Sequence, residues 1–194
     1  LAAMPEGRTV ATLDDLSPGG YWAKGERIDV EGQEFDTAWQ VRTRQKPGQP
    51  WGVLFNGTYA EDVPAGHLVW VTFMARSAVD AGSPPVAKAA LKAQGGKMFH
   101  RFEVGKDWHR FGYAYRPDAP IVGGETKLEF FLGYQAQVMQ LADLHALDLG
   151  KDATRDDLPD YEAWTYDPRE GREPAPPSEY RAQLLEDELA GLPD

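Results

Sequence analysis

The sequence predicts an all-β fold: an antiparallel sandwich with an extended C-terminal arm and a short terminal helix. Three observations carry this. Short runs rich in Val, Phe, Tyr, Trp and Thr recur at fairly regular spacing, Gly, Pro and Asp punctuate them, and nowhere do strands alternate with long helices. The 194 residues are 42% hydrophobic, enough to bury a core.

In chain order, "TAWQVRT" (37–43) is rich in β-formers, "KPGQP" (46–50) is a turn, and "WGVLFNG" (51–57) is a second strand. "HLVWVTFMARS" (67–77) is the strongest strand signal, and "AGSPP" (81–85) is a loop. "PPVAKAALKAQGG" (84–96) has room for one short helix. Strands follow at "KMFHRFEVG" (97–105), "DWHRFGYAYRP" (107–117), "TKLEFFLG" (126–133) and "QVMQLADLHALDLG" (137–150). The sandwich therefore occupies 1–150. Residues 151–177 are polar and proline-rich and read as an extended arm. Residues 178–194 read as a helix: Ser178 is its N-cap, Tyr180 and Leu184 share a face, as do Leu185 and Leu189, and Gly191 and Pro193 end it.

Composition excludes several classes of function. Twenty Lys and Arg stand against 31 Asp and Glu, a formal charge of −11. That argues against nucleic acid and against anionic membrane surfaces, both of which need cationic residues. The chain has no Cys, which removes thiol catalysis, disulfides and thiolate metal sites. No apolar run of about 18 residues appears, and "LAAMPEGRTV" lacks a basic-then-apolar signal segment. There is no G-x-S-x-G, H-E-x-x-H or phosphate-binding glycine loop, and no carboxylate pair sits in a recognisable motif. His100 and His109 could meet across neighbouring strands and hold a metal, but two solvated strand histidines is the stronger reading. The chain reads as a non-enzyme.

Alternation sorts the strand faces. In 67–77, Val69, Val71, Phe73 and Ala75 form a core face, whereas Trp70, Thr72, Met74 and Arg76 form a mixed aromatic-polar one. In 107–115, Phe111, Tyr113 and Tyr115 alternate with Arg110, Gly112 and Ala114, and these small residues are expected to leave a shallow groove. Aromatic rings beside amides and guanidinium suit a sugar: rings lie on pyranose C–H faces while polar groups reach the hydroxyls. Trp39 and Trp108 are expected in the core, and Trp51, after "GQP", at the groove rim. Gln135 and Gln137, two residues apart after a break at Gly133, suit a hydroxyl-rich ligand or a turn that hydrogen-bonds itself. The first choice places Gln137 at the groove, with Tyr134 and Gln135 in the loop beside it.

The order "GQEFDTAWQVRT", "QPWGVLF", "AGHLVWVTFMARS", "VGKDWHRFGYAY", "LEFFLGYQAQVMQLADLHALDLG" resembles a carbohydrate-binding module of the type that precedes glycoside hydrolase family ten, xylanase-like, catalytic domains. The resemblance covers about residues 5–150, and "LPDYEAWTYDPREGRE" resembles the arm that follows such modules. It implies a β-jelly roll that binds xylan, β-glucan or a related β-linked polysaccharide or oligosaccharide on a concave sheet. The expected site residues are Trp70, Arg76, Gln137, Trp51, Tyr134 and Gln135. The resemblance also implies secretion or a periplasmic location, a glycoside hydrolase catalytic domain as partner, and a structural calcium ion for which Glu31, Glu34, Asp36 and Asp143 are oxygen donors of the right chemistry. The residues after Gly150 are too few for the roughly 250 of a catalytic barrel. A jelly-roll interaction or structural module without sugar binding is the competing expectation.

Overall fold

A computed structural model of the chain describes residues 4–94 and 98–159, together with 180, 183, 184 and 186. Among the described residues eleven strands run in chain order: β1 (Arg8–Thr12), β2 (Leu16–Gly19), β3 (Ala23–Asp29), β4 (Thr37–Thr43), β5 (Leu54–Thr58), β6 (Val69–Ser77), β7 (Ala87–Ala93), β8 (Met98–Val104), β9 (His109–Tyr115), β10 (Lys127–Phe131) and β11 (Gln137–Asp148). They form two antiparallel sheets. The six-stranded sheet has the order β3-β4-β11-β6-β9, with β1 paired to the far end of β11; the five-stranded sheet has the order β2-β5-β10-β7-β8. This is the expected β-sandwich of jelly-roll type.

The core lies between the sheets and is built by alternation. Val69, Val71, Phe73 and Ala75 of β6 and Ala87, Ala89, Leu91 and Ala93 of β7 line it from the two sheets, with Phe102, Phe111, Tyr113 and Phe130 filling the centre. Phe73 stacks on Phe111 at 5.4 Å and meets Phe130 edge-on at 4.9 Å. Such ring pairs add about 1 kcal/mol each beyond the area they bury.

Residues 87–93 are a strand, not the short helix expected from their Ala and Lys content. Their apolar residues recur with period two, and Lys88 and Lys92 point outward between them. Burying that face in the core against the other sheet outweighs a helix propensity of a few tenths of a kcal/mol per residue. The three N-terminal strands were missed because they are short or polar; β3, "AKGERID", is a partly exposed edge strand.

His100 and His109 are not solvated. His100 is buried and stacks on Tyr113 at 5.0 Å; His109 lies at 3.7 Å against Tyr180. Burial pushes each imidazole from its usual 6.5 down to about 4. A depressed histidine pKa gives stability that is complete above about 6.5 and lost as pH falls towards 4. For His100 the loss by pH 4.5 is expected to be ~2 kcal/mol. Denaturant midpoints between pH 7 and 4.5 should fall less steeply for His100→Phe than for the parent. Parallel profiles would refute the assignment.

Tyr180 packs against the main core and its hydroxyl accepts the Gly105 N–H at 2.8 Å. Leu184 is buried beside Gly105, where an added Cβ would come within 2.7 Å of the leucine side chain. Residues 180, 183, 184 and 186 are helical; Ser178, Leu185, Leu189, Gly191 and Pro193, on which the expected helix also rests, lie outside the described residues, as do 160–177 of the arm.

Candidate functional site

The outer face of the six-stranded sheet carries a continuous line of polar side chains. Register sets Glu26 opposite Gln40, Gln40 opposite Gln140, and Gln140 opposite Arg76, on β3, β4, β11 and β6. Each link is bonded. The Gln40 amide donates to Glu26 Oε1 at 3.1 Å, Gln140 Nε2 donates to Gln40 Oε1 at 2.7 Å, and Arg76 Nε donates to Gln140 Oε1 at 2.6 Å. Gln140 is buried and fixes the orientation of its neighbours, while Gln40 and Arg76 are partly open and Glu26 is exposed. Each amide that accepts from one side and donates to the other polarises the next bond.

Trp108 ends the line. The Arg76 guanidinium lies 5.3 Å from its ring centre, and Phe35 meets the indole edge-on at 4.9 Å. Phe35 comes from the β3–β4 connection, although β11 and β6 separate β4 from β9 in the sheet. The two rings therefore meet across the sheet face. Trp108 is half-buried and belongs to neither apolar core, against the expectation that it would be a core residue.

The adjacent row is Ala38, Ala142, Met74 and Arg110. Its two alanines are fully covered and lie outside both apolar clusters. Beyond it β11 bulges. Asp143 there has φ 45°, a left-handed conformation costing about 1–2 kcal/mol for a residue with a Cβ. The bulge sets the Asp143 carboxylate between His145, at 3.0 Å, and Arg110, which also donates to the Asp143 carbonyl at 3.1 Å. The His145 hydrogen bond, then Arg110, pull its pKa from 3.8 to about 2 against the opposing effect of burial. Strain held by two partners is a usual mark of a functional surface.

The expected site residues do not come together. Arg76 alone is part of the polar line. Trp70 is 0% exposed. Its indole lies over Gly112, where an added Cβ would approach within 2.7 Å, and so fills the groove that Gly112 and Ala114 were expected to leave. Leu68, Ala114 and Leu147 surround it, and Leu149, Ala153 and Leu158 pack over this second apolar cluster. The first residues after β11 thus lie back on the sheet, held by Arg116, which donates to the Gly66, Lys151 and Ala153 carbonyls. Trp70 does not offer a ring to a ligand.

Gln137 is likewise corrected. Its buried amide accepts the Lys88 N–H at 2.8 Å and donates to the Lys88 carbonyl at 2.7 Å and the Leu132 carbonyl at 2.8 Å. β10 stops pairing with β7 at Phe131–Ala90, so Lys88 has no β10 partner and the amide supplies the missing ladder. Gln135 donates to the Val86 carbonyl at 2.8 Å. Two amides two residues apart thus serve backbone groups two residues apart on the facing sheet. Trp51 and Tyr134 belong to the other side of the molecule: Trp51 stands 6.1 Å from Phe131 and Tyr134 lies beneath Arg101.

Of the calcium candidates, Asp143 is engaged by Arg110 and His145, and Glu31, Glu34 and Asp36 are exposed in the β3–β4 connection. Among the described residues, no group of three or more His, Asp or Glu is placed to hold a metal ion.

Gln40, Gln140, Glu26, Phe35 and Asp143 were not singled out from the sequence as ligand contacts. Gln40 and Gln140 left a signal: each is an uncharged polar residue in the middle of a strand of β-formers.

The two-sheet antiparallel sandwich is an architecture shared with solved carbohydrate-binding modules. The chain is similar to the CBM22-1 xylan-binding domain from Paenibacillus barcinonensis Xyn10C, with TM-score 0.53 and 11% identity over 77% of this chain and 100% of that one. It is similar also to the C-terminal family 22 carbohydrate binding module of Clostridium thermocellum Xyn10B, with TM-score 0.52 and 13% identity over 76% and 96%. Against the CBM22-1-CBM22-2 tandem domain of the Paenibacillus protein, the TM-score is 0.54 at 13% identity, and the chain spans about half of it, 48%. The expected resemblance is thus present in the fold. No family model and no curated protein matches the sequence.

Proposed function

We propose that this chain is a non-catalytic carbohydrate-binding module that takes a β-linked polysaccharide of the xylan or β-glucan type on the outer face of its six-stranded sheet. One observation carries the reading: the bonded line Glu26–Gln40–Gln140–Arg76, capped by Trp108. Its exposed members present donors and acceptors already oriented by one another, which lowers the ordering cost of meeting several hydroxyls. The xylan-binding domain with the same fold supports the ligand class. Affinity is expected in the micromolar to millimolar range, because each sugar hydroxyl exchanges water for protein at little net gain. Retention on an insoluble chain would concentrate an attached or partner glycoside hydrolase there, outside the cytoplasm. A structural calcium ion enters this reading only through the resemblance to such modules.

Affinity electrophoresis against xylan, β-glucans and mannan tests it. Arg76→Ala and Trp108→Ala are each expected to weaken retardation at least tenfold, while far-ultraviolet circular dichroism and cooperative unfolding stay native. Retardation by the parent that neither change reduces would remove this face as the site. The competing reading, an interaction module without sugar binding, draws on one observation: the Trp70 ring is sealed beneath Leu149, Ala153 and Leu158. It would be favoured by a parent that migrates freely through every gel.

A further inference from the structure

The opposite side of the sandwich holds a strip of aromatic rings that the polar line leaves unexplained. Among the described residues, the exposed large aromatics are Tyr21, Trp22, Trp51 and Phe99, at 88%, 41%, 54% and 42%. They come from separate parts of the chain yet gather in one place. Tyr21 and Trp22 meet edge to face at 4.9 Å in the β2–β3 turn. The Trp22 N–H donates to the Gly52 carbonyl at 3.3 Å, which sets it beside the short 3-10 turn carrying Trp51. Trp51 lies 6.1 Å from Phe131, and Phe131 lies 6.0 Å from Phe99. The order is Tyr21, Trp22, Trp51, Phe131, Phe99.

Polar groups flank the Phe99 end. Lys92 Nζ lies 5.4 Å from the Phe131 ring and 3.2 Å from Glu129. Arg101 lies 5.6 Å from the Tyr134 ring and has no ion pair with a described residue. The outward residues of β7, β8 and β10 carry four cations, Lys88, Lys92, Arg101 and Lys127, against two carboxylates, Glu103 and Glu129. This face is cationic on an acidic chain.

We propose that this strip is a second binding surface, for a polysaccharide bearing carboxylate groups of the uronic-acid type. Pyranose faces stack on Trp22, Trp51 and Phe99, and Arg101 with Lys92 meets the carboxylates. Stacking selects a sugar chain, and the surplus of cations selects an acidic one. The surface stands independently of the polar line, because it uses the other sheet.

The experiment is affinity electrophoresis on glucuronoxylan and on the same polymer after reduction of its carboxyl groups, in parent and Arg76→Ala backgrounds. In the Arg76→Ala protein, retardation on the acidic polymer is expected to persist, to fall at least tenfold with Trp51→Ala or Trp22→Ala, and to lose its preference over the reduced polymer with Arg101→Gln. All three substitutions lie at exposed positions, and circular dichroism confirms their fold. If Trp51→Ala and Trp22→Ala leave retardation unchanged, or Arg76→Ala alone abolishes it, the second surface is wrong. Self-association seen by light scattering and removed by Trp51→Ala would equally overturn it, since a second copy of the chain would then cover the strip.

Discussion

Replacing Trp70 by Ala is expected to destabilise the fold by about 3–5 kcal/mol, the range for deleting a large buried aromatic. For a chain of this size that lowers Tm by on the order of 10 °C. The indole fills the space over Gly112 and supports Leu147, Leu149, Ala153 and Leu158. Its loss therefore empties the second apolar cluster and frees the segment after β11. Calorimetry checks this directly. The folded fraction at low temperature should still bind polysaccharide, because the polar line lies three rows from Trp70 on the sheet. A normal Tm with abolished binding would restore Trp70 as a ligand contact.

The second large effect is expected at Gln137. Gln137→Ala leaves the Lys88 N–H, the Lys88 carbonyl and one bond to the Leu132 carbonyl without a partner. Each unsatisfied buried group costs about 1–3 kcal/mol, although the Leu132 carbonyl keeps its bond from Thr43 at 3.1 Å. The total should be about 2–5 kcal/mol, with loss of hydrogen-exchange protection at the Lys88 amide. Gln135→Ala, which removes one bond to the Val86 carbonyl, should cost less than half as much. Equal midpoints for parent and Gln137→Ala would show that water replaces the amide at no cost.

Both residues carry the lesson about legibility. Alternation correctly divided β6 into Val69, Val71, Phe73, Ala75 and Trp70, Thr72, Met74, Arg76. The inference that the second set meets solvent failed at Trp70, because Leu149 and Leu158 return from outside the strand to cover it. The Gln135–Gln137 spacing was legible as paired amides that suit either a ligand or a turn that hydrogen-bonds itself. Its target, the unpaired edge of β7, was not, since that edge exists only where β10 stops. Trp51, read as a ring at the rim of the groove, is exposed but lies against Phe131 of the other sheet, and the sequence could not tell the two sheets apart.

The amino-acid order by itself determined that this chain is a β-sandwich, where seven of its strands lie, and which side chains share a strand face. These follow from local causes: a two-residue repeat, β-branched and aromatic preference, and turns at Gly and Pro. Only the tertiary structure decided which outer face is covered, which amides complete a backbone ladder, and which rings from distant turns meet. Those outcomes depend on contacts between residues far apart in the chain, Trp22 with Gly52 and Gln40 with Gln140 among them, and the same alternating pattern is compatible with an open face or a sealed one.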